Sequence, residues 1–133
     1  MLYLDASAIV KLVTREPETD RLVQVIGDDP ATISSEVSFV EVVRAVRRVG
    51  RDAGRAETVI GAIALVPIDA GIIRSAAELG PTTLRSLDAI HLATVLSLSG
   101  DVSRLVTYDD SLADAARSME VDVSSPGADE DEV

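Results

Sequence analysis

Short continuous apolar runs alternate along the chain with longer segments whose apolar residues fall three and four apart, and that alternation sets the expected elements. Leu2-Tyr3-Leu4 is a compact apolar run ending at Asp5, which predicts a buried strand. From Ala6 to Thr14, Ile9, Val10, Leu12 and Val13 follow a helical pattern with Ser7 in the first turn. Pro17 suits the first position of a second helix, and Glu18 and Asp20 suit its positive end. Leu22, Val23, Val25 and Ile26 supply that helix's apolar stripe before Gly27-Asp28-Asp29-Pro30 stops it. Ala31 to Ser34 predicts a second strand, and Ser35 is placed to cap a third helix from Glu36 to about Val49, closed by Gly50. A fourth helix is predicted over Arg55 to Leu65. The extended piece Val66-Pro67-Ile68 follows, and its proline argues for a sheet edge. Helices over Ala70 to Leu79 and Ser86 to Ser99 end at Gly80-Pro81 and Gly100. A strand at Arg104 to Thr107, a helix at Ser111 to Met119 and a short strand at Val121 to Val123 complete the pattern.

Strands that alternate with helices predict an α/β fold with a parallel sheet covered on both faces. In such sheets the crevice at the carboxyl ends of the strands is the usual ligand site, and Asp5 and Asp109 sit at two of those ends. No internal repeat or interior linker breaks the pattern. One domain is therefore expected over residues 1–123, followed by an acidic, disordered tail over 124–133 that carries Asp129-Glu130-Asp131-Glu132.

Composition narrows the chemistry. With 47% hydrophobic residues the chain can bury a real core, and with only 2% aromatics that core must be aliphatic. The absence of cysteine excludes disulfides, thiolate catalysis and cysteine-ligated zinc. There is no signal-peptide pattern, and no apolar run approaches the roughly 20 residues of a membrane span, so a soluble cytoplasmic protein is expected. The net charge of −11 argues against a nucleic-acid binder held by bulk charge. Any contact with a polyanion must come from a local basic patch or a metal ion.

Four acids stand in apolar surroundings: Asp5 after the first strand, Glu41 within Val37-Ser38-Phe39-Val40-Glu41-Val42-Val43, Asp88 at the head of the Ser86 helix, and Asp109 after Leu105-Val106-Thr107-Tyr108. Such a set is costly unless protons or cations compensate it. Hard oxygen ligands suit Mg²⁺ or Mn²⁺, which can activate a water for attack on a phosphodiester. Judged singly, Asp5, Asp88 and Asp109 are also well placed to cap or flank helix N-termini. Glu41, in mid-helix, has no such use. His91, the only histidine, lies three residues after Asp88 and is expected to be a packed, hydrogen-bonded support rather than a catalyst.

Leu4-Asp5-Ala6-Ser7-Ala8 with Lys11-Leu12 and Glu16, Glu41 in its valine-rich helix, Arg85 through Ala93, and Val106-Thr107-Tyr108-Asp109 with Leu112 together resemble a PIN-domain ribonuclease, in particular the VapC toxins of bacterial toxin–antitoxin pairs. The resemblance reaches to about Val123. It implies a three-layer fold with a short twisted parallel sheet flanked by helices, Mg²⁺-dependent (or Mn²⁺-dependent) RNA cleavage, and inhibition by a cognate VapB-like antitoxin. It also implies catalytic roles for Asp5, Glu41, Asp88 and Asp109, with Asp5, Asp88 and Asp109 as metal ligands. Ser7 and Thr107 match hydroxyl positions that bond the acids or metal-bound water. Asp109 rather than Asp110 is taken as the fourth acid because it directly follows Thr107-Tyr108.

Arg44, Arg47, Arg48, Arg51 and Arg55 cluster in sequence, and on a helix Arg44 and Arg48 fall within about 60° of Glu41. That stripe, with Arg85, is the candidate for holding RNA phosphates. Apolar residues of the first two helices, Ile9, Leu12, Val13, Leu22 and Val25, are expected to leave a surplus for an antitoxin groove or a homodimer face. Two other readings compete. A Mg²⁺-dependent phosphatase or phosphotransfer receiver fits poorly, because a receiver expects a late lysine and the only lysine is Lys11, while a dehalogenase-type phosphatase expects an aspartate where Ser7 stands. A non-catalytic PIN-like module that binds RNA or protein would be expected to have lost acids that are all present here.

Overall fold

The computed structural model describes residues 1–128, so the run Asp129-Glu130-Asp131-Glu132 lies outside the described residues. The elements in order are β1 (Leu2–Leu4), α1 (Ala6–Val13), α2 (Thr19–Asp28), β2 (Thr32–Ser35), α3 (Val37–Arg48) and α4 (Ala53–Ile60). They continue with β3 (Ala64–Val66), α5 (Ala70–Glu78), α6 (Ser86–Ser97), β4 (Arg104–Val106), α7 (Asp110–Ser118) and β5 (Val123–Ser124). The five strands form one parallel sheet in the order β3-β2-β1-β4-β5, in a three-layer α/β arrangement.

Period-two alternation in β1 divides the core. Leu2 and Leu4 face the layer of Ile9, Leu22, Val42, Val46 and Ile60 from α1 to α4. Tyr3 faces the opposite layer, where Leu92 and Val95 of α6 meet Leu112 of α7 and Leu105 of β4. The chain winds outward from β1 through β2 to β3, then returns to lay β4 on the other flank of β1. The carboxyl ends of β1 and β4 are thus neighbours at the point where winding reverses, which is where open α/β sheets form crevices.

Several boundaries differ from the sequence reading. The fourth helix stops at Ile60, and Ala64–Val66 pairs with β2 through Ile33, Ser34 and Ser35. Periodicity alone cannot separate a helix end from a strand across so short an apolar run. The new strand does lie at the sheet edge, with Pro67 just beyond it. Ser35 is the last residue of β2, yet its Oγ still accepts the Val37 amide at 3.2 Å. The packed body also continues past residue 123. Ser124 pairs with Val106, the Ser125 hydroxyl donates to the Thr107 carbonyl at 2.6 Å, and the Tyr108 hydroxyl donates to the Pro126 carbonyl at 2.6 Å.

The expected apolar surplus on α1 and α2 is not surplus. Ile9, Val13, Leu22 and Val25 are core residues and Leu12 packs against them, because α3 and α4 cover that face. The exposed large apolar residues include Val23 of α2 and, elsewhere, Phe39, Val40 and Leu87. No described helix is long and apolar enough to cross a membrane.

Candidate active site

Asp5 terminates β1 and caps α1. Its Oδ1 accepts from the Ala8 amide at 3.0 Å and the Ser7 hydroxyl at 2.6 Å, while Oδ2 accepts from the Thr107 hydroxyl at 2.6 Å. The same two hydroxyls tie the neighbouring strand ends together: Ser7 Oγ accepts the Tyr108 amide at 2.9 Å, and Thr107 Oγ1 accepts the Asp109 amide at 3.0 Å. Asp109 in turn caps α7, with Oδ1 accepting from the Leu112 amide at 3.0 Å. Two acids therefore cap helices and face the crevice at once, and each spends one oxygen on its cap.

Asp88 sits in the first turn of α6 and makes no cap bond. Its Oδ2 is buried without a hydrogen-bond partner. The nearest cation is Arg85, whose Nε lies 3.6 Å from Asp88 Oδ2 and whose guanidinium also donates to Asp109 Oδ2 at 2.8 Å. Glu41 enters from α3 and meets His91 Nε2 at 2.7 Å, and His91 Nδ1 meets the Tyr3 hydroxyl at 2.8 Å. The four acids, Arg85 and His91 line one cleft of about 340 Å³. An adjoining groove of about 450 Å³ shares Ala6, Ser7, Glu41 and Leu87 with it and adds Arg44 and Arg48. A wider cavity of about 730 Å³ lies between α5 and α6, where Asp69 is occupied in capping α5 through the Ile72 amide.

Electrostatics mark the same cleft. Burial raises the Asp5 carboxyl above the usual carboxylate range, against the opposing pull of His91, Ser7, Thr107 and the Ala8 amide. Burial also raises Asp88, helped by the charge of Asp109 and opposed by Arg85 and His91. These are carboxylates whose charge is not fully compensated by protein groups. Among the described residues no three acids or histidines are gathered tightly enough, as they lie, to hold one ion. The reason is visible in the contacts: the Arg85 guanidinium stands between Asp88 and Asp109, and both Asp5 oxygens are engaged by donors. The donor chemistry nonetheless fits a hard divalent cation, and the unbonded buried Asp88 Oδ2 is an oxygen in need of one.

Every acid named from the sequence faces this cleft. Ser7 lines it and Thr107 is buried behind Asp5, while Asp110 opens α7 on the exposed side. Arg85 contacts carboxylates. Arg55 leaves the basic stripe altogether, bonding the carbonyl of Val13, the last residue of α1, at 2.9 Å. The sequence reading missed Tyr3. Its signal was available: an inward-facing strand residue with a hydroxyl that needs a partner when buried.

The PIN domain family model matches residues 2–118. The chain is 41% identical over 126 residues to Ribonuclease VapC46 of Mycobacterium tuberculosis, covering 94% of this chain and 97% of that protein. Among solved structures it is similar to Mycobacterium tuberculosis VapC20, described as a sarcin-ricin loop cleaving toxin, with a TM-score of 0.72, 12% identity, and coverage of 86% of this chain and 95% of that one. It is also similar to FitAcB from Neisseria gonorrhoeae, with a TM-score of 0.68, 18% identity, and coverage of 96% and 99%.

Proposed function

The chain belongs to the PIN-domain family, among the VapC-type ribonucleases, and from that membership we infer that it is an endoribonuclease, the toxin of a toxin–antitoxin pair. We propose that it hydrolyses RNA phosphodiester bonds at the cleft of Asp5, Glu41, Asp88 and Asp109. The observation that carries this reading is the convergence of four acids from four separate elements on one crevice, beside a buried carboxylate oxygen that lacks a hydrogen bond.

Asp5, Asp88 and Asp109 are the residues that would hold a divalent ion, Mg²⁺ by preference and Mn²⁺ in substitution. Bound there, it would supply a water of lowered pKa and offset the charge of the scissile phosphate. The protein's own residues do the rest. Ser7 and Thr107 fix both oxygens of Asp5, so this carboxylate has no rotational freedom to lose when the site closes. Asp109 is held in orientation by the Leu112 amide. Glu41 stands between the acid cleft and the arginine groove, suited to accept a proton from the attacking water. Arg44 and Arg48 would hold phosphates that flank the cleavage position, supplying the attraction that a net charge of −11 denies. Exposed Phe39, Val40 and Leu87 provide an apolar rim against which a VapB-like antitoxin segment could pack.

The test is cleavage of RNA by the purified protein in Mg²⁺ or Mn²⁺, compared with Asp5→Asn and Asp88→Asn. Metal-dependent cleavage that is lost in both variants is expected. Cleavage at the parental rate in both would remove these acids from the site.

A further inference from the structure

Glu41 differs from its three partners in how it is held. Asp5 is bound by two hydroxyls and an amide, Asp109 by an amide and a guanidinium, and Asp88 projects from the first turn of its helix. Glu41 has a longer side chain with one more torsion than an aspartate, and among the described residues its one hydrogen-bond partner is His91 Nε2, at 2.7 Å. His91 is itself 1% exposed and reaches back through Nδ1 to the hydroxyl of Tyr3, which is fully buried in β1. The two rings meet edge to face, 81° between planes and 5.8 Å between centroids.

We propose that Tyr3 and His91 form a relay of positioning residues that locks Glu41 in its catalytic orientation by fixing the imidazole as its Nε2–H tautomer. This rests on the reading of Glu41 as a residue of the ribonuclease site. The donor order follows from the chemistry of the three groups. A carboxylate only accepts, so His91 Nε2 must carry the proton in the bond to Glu41. In the neutral ring Nδ1 is then an acceptor, and the partner opposite it must donate. Tyr3 is that donor: its hydroxyl lies 2.8 Å from Nδ1, and a phenol carries its proton at neutral pH. The logic is that of an acid–histidine pair whose far nitrogen sets the near one. It differs from a charge-relay arrangement in that a phenol stands in the orienting position and a carboxylate is the group oriented.

The geometry also explains why an element as short as β1 matters to a site it touches only through Asp5. Strand alternation points Leu4 into one layer and Tyr3 into the other, directly beneath α6. The residue two before Asp5 therefore acts on Glu41 across the histidine, so that β1 controls two of the four acids.

The experiment uses the single histidine of the chain, which makes its imidazole signals unambiguous. Long-range ¹H–¹⁵N correlation on the unsubstituted protein, without RNA or metal, is expected to show one tautomer, protonated at Nε2 and bare at Nδ1. The same spectrum of Tyr3→Phe should show that population mixed or exchanging. An Nδ1–H tautomer in the unsubstituted protein, or no change in Tyr3→Phe, overturns the proposal whatever the outcome with RNA. Kinetics supply the second arm. His91→Gln places an amide donor near the Nε2 position and His91→Asn does not, so kcat should fall by roughly 10–100-fold in Asn and recover most of that loss in Gln, with KM little changed. Equal kcat values for Gln and Asn overturn the positioning role. Failure of the unsubstituted protein to cleave RNA would instead strike the ribonuclease reading, and it is visible before any variant is made.

Discussion

Arg85 holds the place of a cation. Its guanidinium bonds Asp109 Oδ2 at 2.8 Å and lies 3.6 Å from Asp88 Oδ2, between two of the residues assigned to a divalent ion. Ion binding requires that contact to break, so Arg85→Ala should tighten the ion. The size of the effect follows from exposure. The Arg85 side chain is 75% accessible, and exposed ion pairs contribute roughly 0.2–1 kcal/mol after solvent screening. With about 1.4 kcal/mol per factor of ten, the gain is roughly 1.4- to 5-fold in Mn²⁺ affinity. Titration of the purified protein with Mn²⁺, followed by calorimetry or by the spin signal of free ion, reads this directly. The gain should shrink as salt is raised, because the competing pair is screened. RNA cleavage at saturating Mn²⁺ should fall in the same variant, since a displaced Arg85 remains the nearest guanidinium for a phosphate. Equal or weaker Mn²⁺ binding in Arg85→Ala would refute the view that arginine and ion compete for one place.

Three further outcomes follow from the same geometry. Asp88→Asn removes a desolvated charge beside Asp109, so the metal-free variant should melt roughly 2–5 °C above the parent, and a lower melting temperature would contradict this. Asp5 and Asp88 hold protons more tightly folded than unfolded. Without metal, stability should therefore rise as pH falls from neutral through their raised values, and level off below the ordinary carboxylate range. Melting temperature against pH tests this, and a slope no shallower in Asp5→Asn or Asp88→Asn than in the parent would refute it. Arg44→Ala with Arg48→Ala should lower the logarithmic salt slope of single-stranded RNA binding by about 1.4, two phosphate contacts at about 0.7 each. An unchanged slope would remove both from the interface.

The main features of fold and site are legible in residue pattern because they rest on local rules. Leu2-Tyr3-Leu4 before Asp5 and Arg104-Leu105-Val106 before Asp109 are strands that end on helix-capping acids, and both signals survive in the structure. The parts that were not legible depend on tertiary partners. Leu65 moved from helix to strand because β2 offered it backbone bonds. Ile9, Val13, Leu22 and Val25 looked like spare apolar surface until α3 and α4 closed over them. Arg55 belongs to a basic run in sequence but is turned away by the open carbonyls of Leu12 and Val13 in the last turn of α1. Capping and site lining are not alternatives for Asp5 and Asp109, because a carboxylate has two oxygens and in each residue only one is taken by the cap.

The reversal of winding at β1 has a consequence for the order of synthesis. A growing chain carries Asp5 and Glu41 early, but Asp109 follows β4, and β4 can take its place beside β1 only after the whole β2–β3 wing and α5 and α6 have emerged. The ties from Ser125 to Thr107 and from Tyr108 to Pro126 come later still. No product that stops short of β4 and Asp109 therefore holds the four acids together. If the proposed cleft is where RNA is cut, a cell making this protein meets it only after translation has passed Asp109, which leaves most of the interval of elongation free of the activity that the finished chain would carry.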